Sequence, residues 1–393
     1  MSRGMKKLRI GFIPLIDASV VIAAQECGFA AAEGLTLELM REVSWANIRD
    51  KLMLDMFDAA HMLAPLAVAT SLGLGHSKMA LAVPLALNSG GNAITLSAPL
   101  YRQIEDLLGR PPGEPREAAL ALKQILARRR QQGAEPVHFG VVFPFSIHAI
   151  LLRHWLRLGG IDLKEEAQFV VVPPPFMVAS LKDGHIEGYC VGEPWNSRAV
   201  ESGVGCIAAF GAEIARHAPD KVLAMPASSA KRDPESMARL IRACRNAAQW
   251  CADPGNHANL ANLLAEPQYL NVAPRTALRA LSGEIAVTPT RVRKFPDFLN
   301  LGRDLVNRPD PRHASWLYAE ILHGLGRPLI STDAMLAAAV YRPDLYDGVA
   351  GAPAKPPPAD SVGLVHGPAF IGDDIAAYLR ALDQSVAGFA SSP

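Results

Sequence analysis

Four short segments of the chain combine polar, glycine and aromatic residues where a predicted strand meets a helix or a second strand. They are 44–45 (SW), 90–92 (GGN), 143–148 (FPFSIH) and 192–196 (GEPWN). In open α/β sheets, ligands bind at the carboxyl ends of strands. A glycine pair lets backbone N–H groups face a ligand, and the start of a helix attracts anions. Each segment alone is typical of a cap, a turn or a packed aromatic, but four together predict a ligand cleft between two lobes.

The sequence lacks the short motifs of common catalytic, nucleotide and metal sites. It has no GxGxxG after its first strand, and no GxxxxGK[ST], GxSxG, HExxH or CxxC. The eleven histidines are scattered, and the six-residue spacing of His148 and His154 does not put two metal ligands on one helical face. We therefore expect no enzyme activity, no catalytic residues, no metal and no cofactor.

Composition narrows the class of protein further. The 393 residues are 50% hydrophobic, with 39 Lys+Arg against 38 Asp+Glu, which argues against disorder and against direct binding to nucleic acid. Five scattered cysteines favour a reducing compartment over a disulfide framework. The most apolar stretch, 52–74, contains Asp55, Asp58 and His61, so no membrane span is expected. A core strand starting at Leu8 leaves no room for a signal peptide ahead of it, and we expect a cytoplasmic protein that starts near Met1.

The elements that must position these segments alternate between strand and helix. This rhythm predicts parallel sheets with helices on both faces. Ser44 is the expected N-cap of the helix 44–53. The predicted strands are 8–13, 35–40, 57–62, 79–87 and 93–97, followed by a second α/β region at 138–210 and a mainly helical part from 234, and further helices are predicted at 17–31, 117–130 and 371–386.

The order of these regions predicts an α/β lobe that is interrupted by a second α/β lobe. We assign residues 1–97 to the first part of lobe I and 98–220 to lobe II. Residues 221–393 return to lobe I and include a helical C-terminal region. A Pro-rich segment near 348–363 is expected to be a loop, because its prolines are incompatible with a helix.

Longer strings of the sequence resemble a known family. They include GFIPLIDASVVIAAQECGFAAAEGL, SWANIRDKL, HFGVVFPFSIHAILLRHWLRLGGI and VVPPPFMVASLKDGHIEGYCVGEPWN, and in order they span roughly residues 8–350. The resemblance is to the nitrate-binding family of ABC-transporter solute-binding proteins, which includes cytoplasmic nitrate/nitrite sensors of the NasS type. It implies the two-lobed clamp of type II periplasmic binding proteins, with the ligand between the lobes.

The resemblance also implies ligand-binding residues. The family's pocket tryptophan corresponds to Trp45, its pocket histidine to His148, and its pocket lysine to Lys221. Its pocket glutamine falls on Asn92, one methylene shorter. We add backbone N–H groups near Gly91 and the signature residue Glu193, while Glu193 and Trp195 could equally be structural. A planar nitrate or nitrite anion would lie against the indole and accept hydrogen bonds, with Lys221 as the anion-selecting charge.

Three functions remain open at this stage. The first is a cytoplasmic nitrate/nitrite sensor that holds an RNA-binding antiterminator of the NasT type when ligand-free and releases it on binding. The alternative is the solute-binding component of an ABC transporter for nitrate or bicarbonate. An acidic residue replaces the lysine in the calcium-assisted bicarbonate branch, so Lys221 favours nitrate. An enzyme related to thiamine-pyrimidine synthases would be expected to have clustered cysteines, which this chain lacks.

Overall fold

The computed structural model describes residues 5–303, 305–354, 362–372 and 374–390, without the side chains of 385–390. The strands are β1 Lys6–Phe12, β2 Leu35–Arg41, β3 Ala59–Leu63, β4 Leu81–Gly90, β5 Asn92–Ser97, β6 Val137–Val141, β7 Ala167–Val171, β8 Gly188–Gly192, β9 Gly205–Phe210, β10 Ala215–Arg216, β11 Pro219–Pro226, β12 Glu284–Thr288, β13 Arg291–Lys294, β14 Leu299–Asn300 and β15 Gly363–Leu364.

The helices cover both faces of the sheets that these strands form. They are α1 Ser19–Glu26, α2 Phe29–Ala32, α3 Trp45–Met53, α4 Ala64–Leu72, α5 Ala98–Leu108, α6 Pro115–Gln131, α7 Ile147–Leu158, α8 Met177–Lys182, α9 Trp195–Glu201, α10 Ala227–Arg232, α11 Pro234–Ala252, α12 His257–Ala265, α13 Pro274–Ser282, α14 Pro311–Leu325, α15 Ser331–Val340, α16 Pro343–Ala350 and α17 Ile375–Ala390. Within the described part of the chain, no helix has the length and apolar character to cross a membrane.

Two sheets define two lobes. Lobe I is built on a six-stranded sheet in the order β14-β4-β11-β3-β1-β2, and lobe II on a five-stranded sheet in the order β7-β6-β8-β5-β9. One cluster of buried apolar side chains runs from α3 and α4 of lobe I into lobe II. A second lies between the opposite face of the six-stranded sheet and the helices α1, α11, α12 and α13. The predicted two-lobed α/β fold is confirmed.

Both sheets are mixed, so the prediction of parallel sheets is wrong in part. β1 pairs in parallel with β2 and β3, and β6 with β7 and β8. The strands next to the crossings between lobes run the other way: β11 is antiparallel to β3 and β4, and β5 is antiparallel to β8 and β9. Strand–helix alternation predicts parallel pairs only while the chain stays in one sheet, and here it changes sheet twice.

The first crossing lies at the glycine pair Gly90–Gly91. Both residues have positive φ, 73° and 80°, a region that side chains disfavour. A Cβ on Gly90 would lie 2.4 Å from the carbonyl oxygen of Phe298, so another residue there would clash with backbone. The crossing also moves β5 into lobe II, where it pairs with β8 and β9, although the sequence assignment of 1–97 had placed this strand in lobe I.

The starts of helices agree with the sequence where a serine caps the helix. The side chain of Ser44 accepts the N–H of Asn47 at 3.2 Å, which confirms the predicted N-cap. In the segment 143–148, the side chain of Ser146 likewise accepts the N–H of Ala149 at 3.1 Å and caps α7. The single helix predicted over 17–31 is wrong, because Gly28, with φ of 81°, separates α1 from α2. Of the predicted Pro-rich loop, α16 occupies the first residues, and 355–361 lie outside the described residues.

Candidate functional site

Polar and aromatic side chains from both lobes converge at a site that we call the interlobe cluster, defined by Asp17, Trp45, His61, Asn92, His148, Asp220 and Lys221. All seven are buried, the most exposed being Asp17 at 3%. Asp17 follows β1, His61 lies in β3 and Lys221 in β11 of lobe I, whereas Asn92 opens β5 and His148 lies in the first turn of α7 in lobe II. The cluster therefore occupies the cleft expected for a clamp.

Lys221 is the electrostatic centre of this cluster. Its Nζ lies 2.8 Å from Asp17 Oδ2 and 2.6 Å from Asp220 Oδ2. Neighbouring residues of a regular strand point to opposite faces, but the pairing of β11 with β4 is shifted at Lys221, and this irregularity brings Asp220 back to the ammonium. Lys221, expected from the sequence to be a cation available to an anion, is already neutralised by two carboxylates.

His61 extends the ion pairs into a chain of hydrogen bonds. Its Nδ1 accepts the N–H of Ile13 at 3.4 Å, which leaves the proton on Nε2, and Nε2 donates to Asp17 Oδ1 at 2.7 Å. Burial lowers the pKa of His61, so it remains a neutral imidazole at neutral pH. Both oxygens of Asp17 are therefore engaged, one by a charged donor and one by a neutral donor.

The two carboxylates respond differently to burial. For Asp17, burial raises the pKa, but Lys221 and the N–H of His61 outweigh it and bring the value to about 2. For Asp220, burial dominates over the attraction of Lys221 and raises the pKa to about 6. Burial would lower the pKa of Lys221, yet the two carboxylates together raise it. Near pH 7 one cation therefore faces two anions, and protonation of Asp220 restores neutrality.

Several buried polar atoms of the cluster have no hydrogen-bond partner in the described part of the chain. They are Trp45 Nε1, Asn92 Oδ1, Asp220 Oδ1 and both ring nitrogens of His148. An unsatisfied buried group costs about 1–3 kcal/mol, so such groups are rare and concentrate where a ligand or water completes them. Burial, with a further contribution from Lys221, lowers the pKa of His148 well below its usual value, so its ring offers one N–H donor and one acceptor.

Trp45 provides a flat apolar wall next to the cation. Lys221 Nζ lies 5.5 Å from the centroid of its ring, and the His61 ring centroid is also 5.5 Å away. Asn92 lies on the opposite side, where Gly192 makes room: a Cβ on this glycine would be 3.1 Å from Asp17 Oδ2 and 3.7 Å from Asn92 Oδ1. The expected donor group of Asn92, Nδ2, points to the carbonyl oxygen of Gly90 at 3.3 Å, so only a flip of the amide would turn it toward the cluster.

The structure does not bring every predicted site residue to the cluster in the expected role. The backbone N–H of Gly91 donates to the carbonyl oxygen of Phe298 at 2.5 Å and is not free for a ligand. One carboxylate oxygen of Glu193 accepts the N–H of Ser197 at 3.2 Å, and burial raises the pKa of this residue to about 7. The indole of Trp195 packs against the guanidinium of Arg198, whose Cζ lies 5.1 Å from the ring centroid. These contacts help to order the start of α9, while Oε1 of Glu193 and Nε1 of Trp195 have no hydrogen-bond partner in the described part of the chain.

Sequence reasoning missed Asp17, His61 and Asp220. Asp17 lies in the helical turn Ile16–Ala18 that comes shortly after the first strand, at the sheet edge where ligands bind, so its position was a usable signal. His61 and Asp220 gave none, because each lies within a strand whose partners are far away in the sequence. Among the described residues, no group of three or more His, Cys, Asp or Glu side chains is arranged so that it could hold a metal ion.

Known proteins resemble this chain in sequence and in structure. The nitrate/nitrite binding protein NrtA of Synechococcus elongatus is 31% identical over 92% of this chain and 82% of its own length. The bicarbonate transport ATP-binding protein CmpC of the same organism is 35% identical over 81% of this chain. The crystal structure of the periplasmic nitrate-binding protein NrtA from Synechocystis superposes with a TM-score of 0.85 at 26% identity, covering 96% of this chain and 98% of that one.

The match covers only part of the ATP-binding relatives. This chain spans 45% of CmpC, about half the length of that relative. The fold and the order of the elements agree with those of periplasmic binding proteins, and the resemblance that the sequence strings carried is confirmed. Because the profile of the NMT1-like family matches residues 3–265, two thirds of the sequence, the chain belongs to the NMT1-like family.

Proposed function

We propose that this protein binds nitrate or nitrite in the interlobe cluster and serves as the solute-binding component of an ABC transporter. One observation carries the proposal: a buried lysine, an indole wall and two sets of unpartnered polar atoms, on Trp45 and His148, meet between the two lobes. The names of the relatives support it, since NrtA is described as a nitrate/nitrite binding protein and CmpC as part of bicarbonate transport.

A planar monoanion suits the donors of the cluster. Its oxygens can accept hydrogen bonds from the Lys221 ammonium, the indole N–H of Trp45 and one ring N–H of His148, while its flat face lies against the apolar ring of Trp45. Two unit charges 4 Å apart interact by about 4 kcal/mol at an effective dielectric of 20, so the lysine is worth several kcal/mol to the anion. The carboxylates oppose this by a similar amount. Binding therefore requires the anion to bind together with a proton or to displace Asp220 from the ammonium.

Titration calorimetry of the purified chain tests the proposal directly. We expect nitrate and nitrite to bind with a stoichiometry of one, and bicarbonate to give no heat with or without calcium. His148→Ala should remove most of the nitrate response, whereas His185→Ala, on the exposed turn before β8, should leave it unchanged. Calcium-dependent bicarbonate binding without a nitrate response would overturn the nitrate assignment and favour the function named for CmpC.

A second candidate is a nitrate/nitrite sensor in the cytoplasm. The sequence strings shared with NasS-type sensors favour it, because a sensor needs only the same cleft and a surface for its partner. In this version the ligand-free protein holds a NasT-type antiterminator, and ligand releases it. A hundredfold effect requires about 2.7 kcal/mol of coupling between the two binding events.

Co-purification separates the two candidates. A sensor should capture the antiterminator without nitrate and release it with nitrate, and the His148→Ala variant should hold it in both conditions because the ligand no longer distinguishes the two states. A transport component should capture no soluble regulator, and its variants should reduce nitrate uptake. Cell fractionation with mass spectrometry of the native N-terminus tests the expected cytoplasmic location.

A further inference from the structure

A second cavity lies away from the interlobe cluster, between α7 of lobe II and α14. Its volume is about 280 Å³. Most of its wall is apolar, and two charged side chains, Arg153 and Glu320, also line it. Helix α14 packs on α4 of lobe I and also contacts α7 and α17, so the cavity lies where the two lobes meet. The apolar walls are formed by Val141, Phe145, Ile150, Phe169, Ile321 and Leu325.

Arg153 is the unusual residue of this cavity. Its side chain is half-buried, and its guanidinium lies against Gly324, where an added Cβ would be 2.8 Å from Cζ. Among the residues that the structure describes, no carboxylate forms an ion pair or hydrogen bond with it. Burial and the neighbouring charge of Arg157 lower the pKa of Arg153 to about 10, so it keeps its charge at neutral pH.

The nearby acid does not compensate this cation, because both of its oxygens are engaged elsewhere. Glu320 Oε2 lies 2.7 Å from Nε2 of His154, and Oε1 accepts the hydroxyl of Tyr378 at 2.6 Å. These contacts, led by the attraction of His154 and working against burial, bring the pKa of Glu320 to about 2. Arg157, one turn further along α7, contacts the ring of His323 rather than a carboxylate. The region therefore contains two guanidinium groups, one fully bonded carboxylate, Glu320, and the exposed Asp383, which lies 3.7 Å from Nδ1 of His323.

We propose that the α7–α14 cavity binds an organic monocarboxylate. The guanidinium of Arg153 offers a planar fork that matches a carboxylate in a bidentate pair, and the apolar walls accommodate a hydrocarbon or aromatic body. A dianion such as phosphate fits less well, because the ionised Glu320 lines the same cavity. A neutral apolar compound would leave the guanidinium without a partner.

Titration of the full chain with benzoate and benzyl alcohol tests this assignment. The two probes share an aromatic body and differ in the carboxylate. We expect benzoate to bind with a stoichiometry of one and at least tenfold more tightly than benzyl alcohol, both alone and in saturating nitrate. If benzoate binds no better than the alcohol, or if nitrate displaces it competitively, the assignment fails.

Variants locate the bound probe. Arg153→Met should weaken benzoate binding at least tenfold, to the level of the alcohol. Arg128→Met, which removes the same charge from an exposed position on α6, should leave benzoate binding unchanged. If Arg153→Met does not fold, Arg153→Lys takes its place: it retains the charge but loses the fork, and we expect it to weaken benzoate several-fold. Benzoate affinity equal to that of the wild type in a folded Arg153 variant would overturn the proposal. The comparison of benzoate with benzyl alcohol in the absence of nitrate, and the effects of the variants on it, do not depend on whether the interlobe cluster binds nitrate.

Discussion

The interlobe cluster contains the buried cation Lys221 and the α7–α14 cavity contains the half-buried cation Arg153, and the two differ in whether nearby carboxylates compensate their charge. Lys221 has two carboxylates within 2.8 Å, whereas Arg153 has none among the described residues. A cation with an excess of acid is already satisfied, so an incoming anion competes with side chains of the protein. A cation without acid is left for an external anion. Counting basic residues in a pocket is therefore a poor guide to anion binding, because the neighbouring acids decide what charge a ligand meets.

The largest effect on stability and nitrate binding is expected from replacing Lys221, whose charge two carboxylates compensate. Lys221→Met leaves Asp17 and Asp220 buried without a counter-charge, and we expect the free energy of unfolding to fall by about 3–5 kcal/mol and nitrate binding to be lost. Denaturant unfolding followed by circular dichroism measures the first effect, and calorimetry the second. Lys182→Met, at the exposed end of α8, is the control. Unchanged stability and nitrate affinity for Lys221→Met would show that Asp17 and Asp220 do not need its charge, and the contrast with Arg153 would fail.

Proton uptake should accompany nitrate binding. Asp220 has a pKa raised to about 6, so its carboxylate is ionised at pH 8 and protonated at pH 5. An anion that requires the protonated form should bind more tightly by up to about tenfold for each pH unit between 8 and 6, and the affinity should level off below that range. The stability of the protein should depend on pH in the same direction. The contribution of Asp220 to the free energy of unfolding is complete below its ordinary pKa of 3.8 and is lost as the pH rises through about 6.

Two variants identify the group responsible for this pH dependence. Asp220→Asn should abolish it and should bind nitrate about tenfold more tightly than the wild type at pH 7. Glu193→Gln should retain it, although the pKa of Glu193 is raised to about 7, because this carboxylate bonds within α9. A flat profile in the wild type would contradict proton uptake and leave displacement of Asp220 as the route to binding. A pH dependence that survives in Asp220→Asn would contradict the role of Asp220.

Replacing Arg153, which has no counter-charge, should change the stability of the protein in the opposite direction to replacing Lys221. Because its folded-state charge has no partner, Arg153→Met is expected to raise the free energy of unfolding by about 1 kcal/mol at pH 7 in the absence of ligand. Benzoate should then stabilise the wild type but not the variant. Thermal unfolding with and without benzoate measures both effects. A loss of stability in the unliganded variant would show that Arg153 has a structural partner.

The smallest effect concerns the indole wall. Trp45→Phe retains an apolar ring but removes the buried Nε1–H, which has no partner in the described part of the chain. If this group donates to the anion, nitrate should bind about threefold more weakly, which corresponds to roughly 0.6 kcal/mol, with little change in stability. Equal affinities for the two proteins would mean that Trp45 acts only through its ring face.

How far the sequence predicted the structure depended on how local each signal was. The caps Ser44 and Ser146 satisfy N–H groups three residues away, so helix starts were legible. The family strings located Trp45, His148 and Lys221, and the structure brings all three to one cluster. The charge state of that cluster could not be predicted from the sequence, because Asp17 is 204 residues from Lys221 and an irregular strand pairing brings the Asp220 carboxylate to the Lys221 ammonium.

The position of β11 determines the order in which the two lobes can be completed. This strand lies between β4 and β3 in the sheet of lobe I, yet it comes after every strand of lobe II in the chain. During synthesis the sheet of lobe II is complete once Phe210 has been made, whereas in lobe I the edges of β3 and β4 that pair with β11 are still open. Although lobe I holds the first strand, it is the last to close. A nascent chain that stalls between the lobes should therefore present a folded lobe II and an aggregation-prone half sheet.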